Sequence, residues 1–222
     1  MILAVAGGKG GVGKTTVAYN LGAELNAVVV DGDLGMADLP AARGPDLHDV
    51  LADRADVFEA VCESGPVALV PCGRSLLGAR AADPTALVDA LDALARECGR
   101  VVVDCPAGMR ADVGLPLYAA TACLLVTTPD RTALADAVRT RELARELDAG
   151  LVGVVLNRAD ASCPSERVEK RLGAPVTRLP DSPALATTID RGDPIGSMAP
   201  DSVERRRLAA LARDVRAATG RV

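Results

Sequence analysis

Ile2-Leu-Ala-Val-Ala-Gly-Gly-Lys-Gly-Gly-Val-Gly-Lys-Thr-Thr16 is the stretch that decides the fold. Residues 2–6 are an unbroken apolar run, the pattern of a strand buried on both faces. Gly8-x-x-x-x-Gly13-Lys14-Thr15 follows at once and matches the phosphate-binding loop. Val17, Ala18, Leu21 and Leu25 then recur at helical spacing. Strand, glycine loop and helix arrive in the order that phosphate binding needs. Glycines at 7, 8, 10, 11 and 13 let several backbone N–H groups converge on one anion. The loop opens onto a helix N-terminus, whose free N–H groups and dipole favour negative charge.

Each loop residue carries an expected task. The backbone of Gly8, Lys9, Gly10, Gly11, Val12 and Gly13 wraps the phosphates. Lys14 sets its ammonium between the β- and γ-phosphates. Thr15 offers its hydroxyl to Mg²⁺, and Thr16 reaches the α-phosphate.

Two later strands end in carboxylates. Ala27-Val-Val-Val30 closes a strand over residues 26–31 and runs into Asp31-Gly32-Asp33. The ends of parallel strands form the functional edge of such a sheet. From the residues alone, Asp31 and Asp33 are either site carboxylates or turn residues beside Gly32. Val101-Val-Val-Asp104 is an apolar strand ending in the carboxylate that a Mg²⁺ shell beside the loop requires.

Lys9-Gly-Gly-Val-Gly-Lys14-Thr-Thr resembles the deviant Walker A loop of the MinD/ParA family of ATPases. Asp104-Cys-Pro-Ala-Gly108 and the segment 33–39 resemble the two switches of MinD-like members, although Ala37, Asp38 and Pro40 depart from the pattern. The resemblance implies ATP and Mg²⁺ as cofactors and a homodimer when ATP is bound. It implies that Lys9 crosses to the partner's phosphates. Asp31 and Asp104 support the metal with Thr15, and Asp33 orients the attacking water. Asn157 and Arg158, at the end of a strand from Leu151, would read adenine. Pro180 and Asp181, after a strand over 176–179, would close its pocket. Read without the resemblance, Asn157 has a strand-end turn residue as its alternative. The turn from Asp190 to Ile195 resembles a late family motif whose role the residues do not reveal.

The expected fold is α/β: a three-layer P-loop architecture, with a mostly parallel sheet between helices, built as one domain over residues 1–222. Hydrophobic content of 49% with 25% charged suits it. Aromatic content of 1% excludes base stacking as a route to nucleic acid. Six cysteines without a C-x-x-C pair read as free thiols of a reducing cytoplasm and argue against an iron–sulfur scaffold.

Two short helices are expected over 47–51 and 57–61, a strand over 67–70, and a helix started by Asp83 and Pro84. Asp130 would cap a helix running to Leu147. The lone His48 reads as a surface or capping residue. Residues 201–220 form a last helix, with Asp201 and Glu204 at its start and Leu208, Leu211, Val215 and Ala218 docked on the sheet. No signal peptide or membrane span is evident. The tail after that helix, with only Val222 bulky and apolar, argues against direct membrane anchoring. The resemblance implies a slow, ATP-dimerised, MinD-like spatial regulator with an unidentified cargo or activating partner. The alternatives are a ParA-type partitioner binding DNA nonspecifically through its arginines, and an adaptor with little ATPase activity.

Overall fold

The computed structural model describes every residue except 36–38, 41–42, 109–110 and 221–222, and the backbone alone for 111–113. Ala37 and Asp38 of the switch-like segment, and Val222 of the tail, thus lie outside the described residues. Strand β1 (Ile2–Ala6) leads through the glycine loop into α1 (Lys14–Leu25). Next come β2 (Val28–Asp31), α2 (Leu47–Leu51), β3 (Leu69–Val70), α3 (Leu76–Ala81), α4 (Ala86–Cys98) and β4 (Val101–Asp104). The second half runs through α5 (Ala111–Ala119), β5 (Ala122–Thr127), α6 (Arg131–Glu146), β6 (Gly150–Leu156), α7 (Ser165–Leu172) and β7 (Val176–Arg178). It closes with the short α8 (Pro183–Ala186), α9 (Thr188–Arg191) and α10 (Ile195–Met198), then α11 (Val203–Thr219).

The seven strands form one sheet in the order β3-β2-β4-β1-β5-β6-β7, and every neighbouring pair is parallel. Side chains alternate across a strand, so β1 feeds both faces at once. Leu3 and Val5 join Val29, Val102 and Leu124 under Val17, Leu21 and Leu25 of α1 and Leu208, Leu211 and Val215 of α11. Ile2, Ala4 and Ala6 join Val30, Val103 and Leu125 on the opposite face, beneath Leu47, Leu87, Leu91, Leu117 and Leu172. Helix α1 lies directly on β2, because a Cβ at Gly22 would come within 2.2 Å of Val29 Cγ2.

Local boundaries depart from the sequence reading for physical reasons. Residues 57–60 make a turn rather than a helix, since so short a stretch cannot repay helix nucleation. Residues 67–68 stay outside β3, where Leu69 also bridges antiparallel to Cys62. Asp83 does not cap α4. Its carboxylate is taken by the N–H and hydroxyl of Thr85, at 3.0 and 2.7 Å. Ser202 replaces Asp201 as the cap of α11, accepting from Arg205 N at 3.2 Å. Ala218 is exposed, so the docked stripe of α11 ends at Val215.

The turn from Asp190 to Ile195 acquires a structural task. Asn20, on α1, donates to Thr16 O at 2.8 Å and to Thr188 Oγ1 at 2.9 Å, and accepts from Ile195 N at 2.7 Å. Tyr19 donates to Gly192 O at 2.6 Å. The turn thereby clamps the helix that follows the glycine loop. Asn20→Leu strands a buried backbone N–H and should cost about 2–4 kcal/mol. Thermal unfolding in the absence of ligand measures this, and an unchanged midpoint would remove the clamp.

Candidate functional site

The glycine loop passes through a slot too narrow for side chains. A Cβ at Gly7 would lie 2.5 Å from Val126 O, and one at Gly8 would lie 2.6 Å from Asp136 Cβ. One at Gly13 would meet Asn157 Nδ2 at 2.4 Å. Gly13 also sits in the left-handed region at φ 97°, which a glycine adopts without strain. No side chain caps α1 among the described residues, so its first-turn N–H groups stay available to an anion. Lys14 is buried at this helix start, while Thr15 and Thr16 are half-buried.

Strand register brings the carboxylates together. Asp31 pairs in register with Asp104, and Asp104 with Val5 immediately before the loop. Alternation puts both side chains on the face that carries α1. Both are buried. Asp31 accepts from Asp33 N at 3.3 Å and from Leu39 N at 3.2 Å, so it organises the turn that follows. Asp33 is half-buried and accepts from Gly35 N at 3.3 Å. A buried lysine, a helix N-terminus and paired carboxylates on one sheet edge are a donor set suited to phosphate with a hard divalent cation.

Gly13, Thr16, Asn157, Arg158, Pro180 and Asp181 line one cavity of about 160 Å³, completed by Ser182, Leu185 and Ala186. The structure therefore gathers residues that lie far apart in the chain. Asn157 is partly engaged already, because Nδ2 donates to Val12 O at 2.8 Å. Its remaining N–H and its Oδ1 are the groups it can offer to a ligand.

Lys9 lies against its own chain. Its Nζ is 3.2 Å from Asp130 Oδ1 and 3.1 Å from Thr132 Oγ1, with both charged groups close to half-exposed. Asp130 also accepts from Ala133 N at 2.9 Å, so it caps α6 as expected. Hydrogen bonds from Thr128, Thr132 and Ala133 hold the Asp130 carboxyl well below the usual carboxylate range. His48 is buried, not at the surface. It packs against Cys72, with Nε2 3.3 Å from Sγ.

Two participants escaped the sequence reading. Asp130 gave a cap signal but none for its bond to Lys9. Asn20 belongs to no motif. A polar side chain between Tyr19 and Leu21, in a stretch otherwise buried, is the one local signal of a buried partner.

Residues 3–195 match the family described as the CobQ/CobB/MinD/ParA nucleotide binding domain. An uncharacterized ATP-binding protein of Methanocaldococcus jannaschii is 37% identical over 169 residues, covering 71% of this chain and 64% of that protein. The chain thus spans slightly under two thirds of that relative. The cell division ATPase MinD of Pyrococcus furiosus superimposes with a TM-score of 0.90 at 30% identity, over 98% of this chain and 99% of that one. The septum site-determining protein MinD of Pyrococcus horikoshii, complexed with Mg-ADP, gives 0.91 at 28% identity, over 99% and 97%.

Asn157→Ala removes the hydrogen bond to Val12 O and leaves that carbonyl without it. A loss of about 1–3 kcal/mol in stability is expected before any ligand is added. Denaturant titration checks it; a midpoint equal to wild type would mean the loop does not lean on this amide.

Proposed function

The chain belongs to the CobQ/CobB/MinD/ParA nucleotide-binding family, and we propose that it is a Mg²⁺-dependent ATPase acting as a nucleotide-timed switch. The observation that carries this reading is the in-register pair Asp31 and Asp104 beside a glycine loop that ends in buried Lys14. Loop N–H groups and Lys14 hold the β- and γ-phosphates of ATP. Thr15, Asp31 and Asp104 hold Mg²⁺, which when bound neutralises phosphate charge. Thr16 reaches the α-phosphate, and the cavity between Asn157 and Pro180 takes the base. Asp33 orients a water in line with the γ-phosphate. Transition-state charge is met by fixed N–H groups and lysines, without covalent chemistry.

Two ATP-loaded subunits close face to face, and each Lys9 leaves Asp130 for the partner's phosphates. The half-exposed position of Lys9 supports that exchange, since a surface ion pair is worth only about 0–1 kcal/mol. The dimer then recruits a partner protein and positions or partitions a cellular structure, as a MinD-like regulator. The relatives named for cell division and septum placement support this choice over DNA partitioning. So does the engagement of three α11 arginines within their own chain. Arg205 bonds Glu24 at 3.1 Å, Arg207 bonds Arg178 O at 2.7 Å, and Arg206 bonds Asp201 O at 3.1 Å. No helix among the described residues is long and apolar enough to cross a membrane.

Lys14→Ala should reduce ATP turnover by about a hundredfold or more, measured as phosphate release. Wild-type turnover in that variant would refute the site. In light scattering, Asp33→Ala should be dimeric with ATP–Mg²⁺ and monomeric with ADP. A monomer in both would refute the switch.

A further inference from the structure

The turn after β2 is anchored at its start by Gly32 N, which donates to Asp104 O of β4 at 2.9 Å, and continues through short-range bonds. Leu34 N donates to Gly32 O at 3.1 Å and Gly35 N to Asp33 Oδ1 at 3.3 Å. A further tie to a separate element comes from Leu34 O, which lies 3.0 Å from His48 Nε2 on α2. A carbonyl can only accept, so Nε2 carries the proton and donates. Cys72 Sγ, 3.3 Å away, is the second group facing that N–H. Burial first, then the charges of Asp31, Asp46 and Asp33, pushes the Cys72 thiol up to about 12, so it stays neutral.

The opposite nitrogen, Nδ1, is buried and makes no hydrogen bond to the described residues. An apolar residue of this shape would avoid that cost, so the ring's value lies in the Nε2 donor. The chain also leaves space for the ring. A Cβ at Gly73 would lie 2.5 Å from Nδ1 and 2.6 Å from Asp46 Oδ2, and one at Gly78 would lie 3.2 Å from His48 Cβ. Helix α2 makes a firm base, with a capping box between Asp46 and Asp49 and with Leu47 N on Pro71 O at 2.9 Å.

The geometry points to His48 as a positioning residue that fixes the Asp33 turn by donating from Nε2 to Leu34 O. The claim rests on the proposed role of Asp33 in orienting water. The imidazole acts through Leu34 O. It restricts where the Asp33 carboxylate can stand, and misplacement of such a group by about 1 Å is enough to cost rate.

Two variants separate the donor from the packing. His48→Phe keeps the ring volume without the donor, and His48→Gln restores an N–H near the position of Nε2. Hydrogen exchange of the peptide over 32–39, in the absence of nucleotide, is expected to be faster in His48→Phe and near wild type in His48→Gln. With saturating ATP, kcat of His48→Phe should fall about tenfold while KM and ADP affinity stay within about twofold, and His48→Gln should recover most of the rate. Unchanged exchange in His48→Phe overturns the tie. So does a parallel loss of rate, affinity and thermal midpoint in both variants, which marks a structural residue only. A wild-type protein that fails to hydrolyse ATP would refute the proposed function, and the exchange measurement would still decide the tie.

Discussion

A backbone squeezed from three sides is the constraint on which the site depends. Val126 O stands over Gly7, Asp136 over Gly8, and Asn157 over Gly13. These neighbours come from β5, α6 and the residue that follows β6, all made long after the loop. The loop therefore keeps its curve because the second half of the sheet presses it into shape. Its N–H groups are aimed before any phosphate arrives, so little reorganisation remains for binding. Phosphate binding and sheet assembly are one packing problem, and glycine is the only residue that solves it at all three positions.

The two faces of the sheet divide the labour. The face with α1 carries the glycine loop, the Asn20 clamp and the paired strand-end carboxylates Asp31 and Asp104. The opposite face carries α2, α4 and α5 over an alanine- and valine-rich layer. Parity enforces the division. Val29 and Val102 point toward α1, so Asp31 and Asp104, two residues further on, point there too. The near absence of aromatic residues fits this arrangement, because small side chains let α1 approach β2 closely at Gly22.

Much of this was legible in the sequence, and the reason is locality. The glycine loop, the apolar strands 2–6 and 101–104, and the carboxylate ends are each written within a few consecutive residues. Pattern reading succeeds where period and punctuation sit together. It fails where one partner is remote. Nothing near Lys9 announces Asp130, and nothing near Asn20 announces Ile195, because only the strand order brings each pair together. His48 was misplaced for a different reason. A five-residue helix has too few turns to declare which face is buried, so the burial of His48 is decided by Cys72 and Gly73, from beyond β3. The boundaries of α4 and α11 slipped because Asp, Thr and Ser compete for the same cap, and the winner depends on the local turn.

The strand order has a consequence for how the chain is made. β1 is the central strand of the seven, with every residue buried, yet it precedes both of its neighbours in the chain. Its edges are closed by β4 and β5, through Ile2 with Val101 and Leu3 with Ala122. Neither arrives until β2, β3 and the helices between them have left the ribosome. During synthesis the future centre of the protein is an apolar segment with two bare edges. Non-local parallel pairing is slow, and an exposed strand of this kind is prone to pair wrongly. The pairing that completes β1 therefore waits for β4 and β5, and the loop pressed by Val126, Asp136 and Asn157 cannot take its final curve before they are made.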